Sequence, residues 1–142
     1  MDIPPRPVRA EREASIEAKI RNALSSEPDV MLWLNEVGVT ETRAGSWVRY
    51  GLCKGSADLI GVLAPHGRFL SFEVKRPRDG RLRPEQLAWA KMIVGVGGFA
   101  AVVRSPDEAL LALRAARAGE SVFGPELAGL LSWMSWPSSP VP

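Results

Sequence analysis

The sequence predicts a mixed α/β domain, a central mixed sheet flanked by helices, and three observations carry that expectation. Short apolar runs bounded by turn residues recur at Val30–Leu34, Ala57–Leu63, Phe69–Lys75 and Phe99–Arg104. Helical periodicity fills Glu11–Leu24, Pro84–Val94 and Pro106–Ala118 between and around them. The resulting order, helix, strands, helix, strand, helix, places helices on the faces of a sheet. Pro65-His66-Gly67 joins the two best strands as a turn, which makes that pair an antiparallel hairpin.

Along Glu11–Leu24, at about 100° per residue, Ile20 and Leu24 share a face with Glu13 and Glu17. Arg12, Ser15, Lys19 and Asn22 fall on the other side, and Glu27-Pro28-Asp29 ends the helix. Glutamates at a helix start often serve the helix dipole. Two on the stripe that faces the core are more telling. Val30–Leu34 follows as a strand, Glu41–Ser46 as a loop, and Trp47–Leu52 as a second strand with Arg49 outward. His66 is the sole histidine and falls in the hairpin turn, where it is expected to be exposed and without function.

Pro84 opens the next helix at its favoured first position. Arg83 then occupies the N-cap, where Ser, Thr or Asp would add about 1 kcal/mol. A broken capping rule points to another task for this arginine, contact with phosphate. Gln86, Ala90 and Ile93 line one face, with Leu87 and Val94 alongside, before Gly95, Gly97 and Gly98 stop the helix. In Pro106–Ala118 the apolar positions are Leu110, Leu111 and Leu113.

A chain of 142 residues is expected to form one domain with a core that needs no staples. Residues 1–10 read as a flexible tail, 11–118 as the domain, and 119–142 as a C-terminal extension. Leu127, Leu130, Leu131, Trp133, Met134 and Trp136 in that extension offer an apolar surface for pairing with a second copy. The closing Pro-Ser-Ser-Pro-Val-Pro is disordered in character. Apolar runs fall far short of the ~18 residues of a membrane span, and no charged-then-apolar leader opens the chain. Cys53 is the single cysteine, which excludes an intrachain disulfide and a cysteine zinc site and fits a reducing cytosol.

Chemistry concentrates in Gly55-Ser56-Ala57-Asp58-Leu59-Ile60-Gly61 and in Phe72-Glu73-Val74-Lys75-Arg76. Strand residues two apart share a face, so Ser71, Glu73 and Lys75 emerge together while Phe72 and Val74 point the other way. Asp58, at the head of the preceding strand, converges on the same place. Two carboxylates and an ammonium on a half-buried face are costly unless they pair or hold a metal. Glu-x-Lys on a strand is ordinarily a surface ion pair; the second acid from a neighbouring strand is what raises the signal. Hard cations such as Mg2+ take few oxygen ligands and keep waters. Asp58, Glu73 and the Val74 carbonyl supply such a set, with Glu13 or Glu17 to complete it. Lys75 is placed to orient or deprotonate a water, or to steady a pentavalent transition state. Gln86 is placed to bond that water or a phosphate oxygen. Net charge is only +2, yet Lys75, Arg76, Arg78, Arg81 and Arg83 crowd a window in which Asp79 is the only acid. A basic patch beside carboxylates is suited to a polyanion held against a metal; a solvated basic loop is the plain alternative.

Glu13-x-x-Ile16, the Gly51–Gly61 stretch, Phe72-Glu73-Val74-Lys75, Gly80-Arg81-x-x-Pro84-Glu85-Gln86 and Gly97-Gly98, in this order, resemble the VRR-NUC nucleases. These form a virus-type replication and repair branch of the PD-(D/E)XK superfamily and include small stand-alone phage proteins. The resemblance runs from Glu13 to Ala112. It implies a restriction-endonuclease-like αβββαβ core and phosphodiester hydrolysis dependent on magnesium or manganese (Mg2+ or Mn2+). It assigns the catalytic acids to Asp58 and Glu73, the lysine to Lys75 and an auxiliary role to Gln86, and it favours Glu13 over Glu17. Arg83 departs from the family's usual Thr or Ser, and Glu36 stands after Asn35 where a second Asn is frequent.

The expected function is a metal-dependent DNA endonuclease, with Arg76, Arg78, Arg81 and Arg83 tracking the phosphate backbone. Stand-alone relatives resemble homodimeric four-way junction resolvases, so the expected partners are branched DNA, Holliday junctions included, and a second copy of the chain. The competing readings are a non-catalytic nucleic-acid-binding module and a phage structural or assembly protein. The first needs a broken motif, whereas Asp58, Glu73, Lys75 and Gln86 are all present. The second leaves the carboxylates unexplained.

Overall fold

The computed structural model describes residues 8–133, with side chains from Glu13 to Leu130. Helix α1 (Val8–Ser25) is followed by β1 (Val30–Leu34), β2 (Gly38–Glu41), β3 (Trp47–Tyr50), β4 (Leu59–Leu63), β5 (Arg68–Val74), α2 (Pro84–Gly95), β6 (Phe99–Val103), α3 (Pro106–Arg117), β7 (Val122–Phe123) and a 3-10 segment, Pro125–Trp133. Five strands form one sheet in the order β1-β4-β5-β6-β7. The first three pair antiparallel, with Ile60 opposite Ser71 in the β4–β5 hairpin. β6 and β7 join in parallel, which requires the helical crossovers α2 and α3. The sheet is mixed and flanked by helices, as the sequence predicts.

Each face of the sheet has its own core. On one, Ile20 and Leu24 of α1 and Ala109, Ala112, Leu113 and Ala116 of α3 meet Leu59, Leu70, Phe72, Val74 and Phe99. On the other, Trp89, Ala90, Ile93 and Val94 of α2 pack with Ile60, Ala100 and Val102. Phe72 and Phe99 meet edge-on with centroids 6.1 Å apart, a favoured aromatic arrangement. Strands buried on both faces read as continuous apolar runs, which is why β4 and β6 are apolar along almost their whole length.

Several expectations need correction. Glu41, read as the start of a loop, is the last residue of β2. β2 and β3 form a separate two-stranded sheet, so the strand expected at Trp47–Leu52 lies outside the main sheet and stops at Tyr50. Gly51 ends it: its φ is +83°, and a Cβ there would sit 2.1 Å from the Glu36 carbonyl. On α3, Leu110 and Leu111 are exposed and only Leu113 of the three leucines is buried, the small Ala109, Ala112 and Ala116 letting the helix sit close to the sheet. Helix α1 begins at Val8, three residues before the start expected at Glu11. Beyond residue 118, β7 extends the main sheet and Leu127 and Leu130 are buried against α2 and β6. Those two leucines complete the core of their own chain and offer no pairing surface. The side chains of Leu131 and Trp133, together with Met134, Trp136 and the proline-rich end, lie outside the described residues, as do residues 1–7.

Candidate active site

Asp58 reaches the site through a clamped loop. Asn35, just past β1, donates from Nδ2 to Ser56 Oγ (2.8 Å) and to the Ala57 carbonyl (2.9 Å), while its backbone N–H donates to the Asp58 carbonyl (2.8 Å). From the other side, Gly55 presses against the first turn of α2, where a Cβ would stand 2.3 Å from the Glu85 carbonyl; its φ of +91° also favours glycine. The segment before β4 is thereby fixed between β1 and α2. Asp58 Oδ2 accepts from the Val74 N–H at 2.9 Å, which turns the carboxylate onto the end of β5.

β5 delivers the rest by alternation. Glu73 and Lys75 are buried, 7% and 8% exposed, on the face turned to α2. Ser71 lies on that face too and accepts from Trp89 Nε1 at 2.9 Å. Gln86 is the third residue of α2, and its Oε1 accepts from the Arg83 N–H at 2.9 Å, the reach-back half of a capping box. This geometry fixes the side chain above β5. Lys75 Nζ donates to the same Oε1 at 2.8 Å, and Gln86 Nε2 donates to Glu73 Oε1 at 2.8 Å. Lys75 Nζ and Glu73 Oε1 are 3.3 Å apart, closing a triangle of three buried polar side chains.

Electrostatics follow from the burial. Glu73 is pushed up to about 8, first by burial and then by the charge of Asp58, with Lys75 opposing. Asp58 is also raised by burial, although the Val74 N–H favours its anion. The two carboxyl groups lie close enough for each to act on the other's ionisation. Glu17, half-buried on α1, is raised to about 7 by burial and then by Asp58 and Glu13. Acids raised first by burial and then by one another's charge mark a place where one lysine does not offset both effects.

A cavity of about 310 Å³ opens over this cluster, and Glu13, Asp58, Glu73, Lys75 and Gln86 all line it. Arg76, Arg81 and Arg83 line it as well, while Arg78 is exposed outside it. Arg76 pairs with Asp79 at 3.2 Å and Arg83 with Glu85 at 3.6 Å. Neither Arg78 nor Arg81 pairs with a carboxylate among the described residues. Glu17 does not line the cavity, and His66 is exposed in its turn. Among the described residues no three acids, histidines or cysteines close into a metal-holding group. The all-oxygen pair Asp58 and Glu73 nevertheless suits magnesium or manganese, which bind through one or two carboxylates and keep waters.

The anchoring role of Asn35 and the bond from Trp89 to Ser71 are not among the sequence expectations. Trp89 falls three residues after Gln86, hence on its face of the helix, and that spacing was a usable signal. Nothing local marks Asn35 as the anchor of a segment 21 residues away.

The family model for the VRR-NUC domain matches residues 12–107. A solved structure described as a VRR_NUC domain is similar in fold, with a TM-score of 0.50 at 16% identity, covering 72% of this chain and 95% of that one. No curated protein matches. With its mixed, helix-flanked sheet and the family model spanning both acids, the lysine and the glutamine, the chain belongs to the VRR-NUC domain family, whose fold is restriction-endonuclease-like and whose function is of the nuclease type.

Proposed function

We propose that the chain is a magnesium- or manganese-dependent endodeoxyribonuclease in which Asp58, Glu73 and Lys75 act as one unit. The observation that supports this most is the buried Glu73–Lys75–Gln86 triangle sharing with Asp58 a cavity walled by arginines. A bare ion pair this deep is poor for stability; retained together with a second acid, it is a site for chemistry. Asp58 and Glu73, with the Val74 carbonyl and Glu13 as further oxygen donors, would hold the ion, which supplies an activated water and neutralises charge developing on phosphorus.

The remaining work falls to the protein's own groups. The ammonium of Lys75, held by Glu73 and Gln86, places positive charge and donors where the phosphate gains negative charge. Gln86 aligns Lys75 and Glu73 and orients the water or a phosphate oxygen. Arg76, Arg78, Arg81 and Arg83 bind the backbone of the strand, which carries no sequence information. The sequence contains no recognition-helix or zinc-finger pattern, so selectivity rests on DNA shape, and branched DNA such as a Holliday junction is the preferred substrate. Cutting both strands of a junction calls for two sites related by symmetry.

The proposed assembly is therefore a homodimer. With Leu127 and Leu130 taken up by the core, the pairing surface moves to the opposite edge of the sheet. There β1 has an open edge with Met31 and Trp33 exposed, and the β2–β3 hairpin exposes Val39, Trp47, Val48 and Tyr50. No helix among the described residues is long and apolar enough to cross a membrane, and the proposed place of action is the cytosol of a bacterium or an infected host.

The test is to incubate the protein with labelled four-way junctions and linear duplex, with and without manganese. Metal-dependent cutting that favours the junction is expected, as is a sedimenting mass twice the 15.4 kDa of one chain. No cutting under any metal would sink the nuclease reading. A monomer that cuts both substrates alike would sink only the junction and dimer parts.

A further inference from the structure

A second cavity, of about 460 Å³, adjoins the first and shares Gly80, Arg81 and Arg83 with it as a wall. Its character is different. Leu82, Pro84 and Leu87 line it, and both leucines are half-buried against the core formed by α2 and the sheet, so its inner surface is hydrocarbon. Arg81 and Arg83 are exposed and form the charged boundary between the two cavities.

We propose that this second cavity receives one unpaired nucleobase of the substrate strand, next to the phosphate that Lys75 and the arginines hold beside Asp58 and Glu73. The inference rests on the nuclease reading and deepens it by naming the local form of DNA that the site takes. A single strand offers an anionic backbone and, beside each phosphate, a flat apolar group. The surface offers the same alternation in the same order: carboxylates and lysine, then arginines, then hydrocarbon. A cavity this size lies low in the range of about 300–1,000 Å³ typical of small-ligand sites, suited to one planar group and too small for a duplex end.

The wall between the cavities is held in place. Arg104, at the end of β6, donates from Nη2 to the Gly80 carbonyl at 3.1 Å and pairs with Glu126 of the 3-10 segment. Gly80 also packs closely on Lys75, where an added Cβ would stand 2.8 Å from Lys75 Cβ. Of the Glu126 carboxylate that lines the cavity, Oε1 is engaged by Arg104 and Oε2 is buried without a hydrogen-bond partner among the described residues, shut off from an incoming base, so recognition falls to stacking on the leucines and to the guanidinium planes. Such contacts tolerate any base. A paired base cannot enter without leaving its partner, so the cavity favours strands that are already open, as at a branch point.

The test uses the full chain and a splayed duplex whose single-stranded segment is replaced, one nucleotide at a time, by an abasic residue that keeps the phosphates. Binding is measured without divalent metal. At one position the abasic residue is expected to weaken binding about tenfold, the scale of one stacked base, and the other positions should change little. Leu87→Ala should bind the intact DNA about tenfold more weakly and lose the discrimination, while Leu87→Met, similar in volume, should keep it. A flat abasic scan on the unaltered chain overturns the proposal whatever the variants do, and so does a discrimination that persists undiminished in Leu87→Ala. Cutting with manganese is scored on the same DNA. Cutting with a flat scan removes the base site and leaves the nuclease; discrimination without cutting does the reverse.

Discussion

The two faces of β5 are equally hidden and chemically opposite. Phe72 and Val74 are 0% exposed and meet only hydrocarbon from α1, α3 and β6. Glu73 and Lys75, one residue on in each case, are 7% and 8% exposed and meet carboxyl, amide and ammonium groups. Burial on the first face contributes stability by removing apolar area from water, about 25 cal/mol per Å². On the second it works against stability, since each charge gives up water for partners that only partly replace it. The same strand thus serves as anchor on one side and, in the proposed function, as the reactive centre on the other.

Substitution should separate the two sides. The largest effect is expected in catalysis: Asp58→Ala and Glu73→Ala should each lower metal-dependent cleavage by at least about a thousandfold, roughly 4 kcal/mol of transition-state stabilisation, with DNA binding kept within a few-fold. Lys75→Ala should be equally inactive yet still bind manganese, followed by calorimetry. If Asp58→Ala cuts at the normal rate, the polar face is not the reactive one. On the apolar side, Phe72→Ala should cost about 3–5 kcal/mol of stability, read from the urea midpoint, and any loss of activity should track the unfolded fraction. A Phe72 variant that stays folded but dead would blur the contrast.

A gentler change sharpens it through pH. Glu73 ionises near 4.5 in an unfolded chain but near 8 in the folded one. Below about 4.5 both states hold the proton and the contribution to stability is complete. As pH rises to about 8 the unfolded chain releases a proton that the folded chain retains, so folding is progressively penalised. Melting temperature of the metal-free protein should therefore fall between pH 5 and 8. Glu73→Gln should make that fall shallower and gain on the order of 1–3 kcal/mol at pH 8. Asp58, also raised by burial, and Glu17, raised to about 7, account for the part that remains. Manganese should restore stability at pH 8 in the unaltered protein and not in Glu73→Gln. A flat profile would mean that the carboxyl groups are not crowded.

Alternation explains why this contrast was legible in the sequence. Period two through Phe69–Lys75 assigns every side chain to a face once a strand is granted, and the glycines around Asp58 mark its loop. The features that escaped depend on distant neighbours. β2 and β3 carry Thr40, Glu41, Arg49 and exposed apolar residues on a two-stranded sheet, so no buried face imposes a pattern. β7 is two residues long and exists because β6 offers it an edge. Leu127 and Leu130 have the spacing of an amphipathic stripe, but spacing does not say whether the stripe meets a second copy or its own sheet.

Helix α1 provides the next distinction, between two acids on one stripe. Glu13 lines the cavity and Glu17 does not, although Glu17 lies close enough to Asp58 to be raised by its charge. Glu13→Gln is expected to lower cleavage about 10- to 100-fold, the range for groups that support a metal site, and Glu17→Gln only a few-fold. The opposite ranking would shift the functional register of α1 by one turn.

The smallest effects should come from the arginines, and here the contrast runs between paired and unpaired charge. Each phosphate neutralised contributes about 0.9 to the slope of log affinity against log salt. Arg81 has no carboxylate partner among the described residues and lines both cavities, so Arg81→Ala should reduce the slope by close to one unit, equally for unrelated sequences. Arg76 already shares its charge with Asp79, and Arg83 with Glu85. Their removal should change the slope by less, since part of the attraction to phosphate is cancelled before DNA arrives. Arg78 lies outside the candidate-site cavity and also lacks a carboxylate partner among the described residues. A full unit lost in Arg78→Ala would carry the bound strand past the loop, and no change would confine it to the two cavities. If neither Arg78→Ala nor Arg81→Ala alters the slope, the basic loop is a solvated surface and the strand must approach Asp58 and Glu73 from the side of α1.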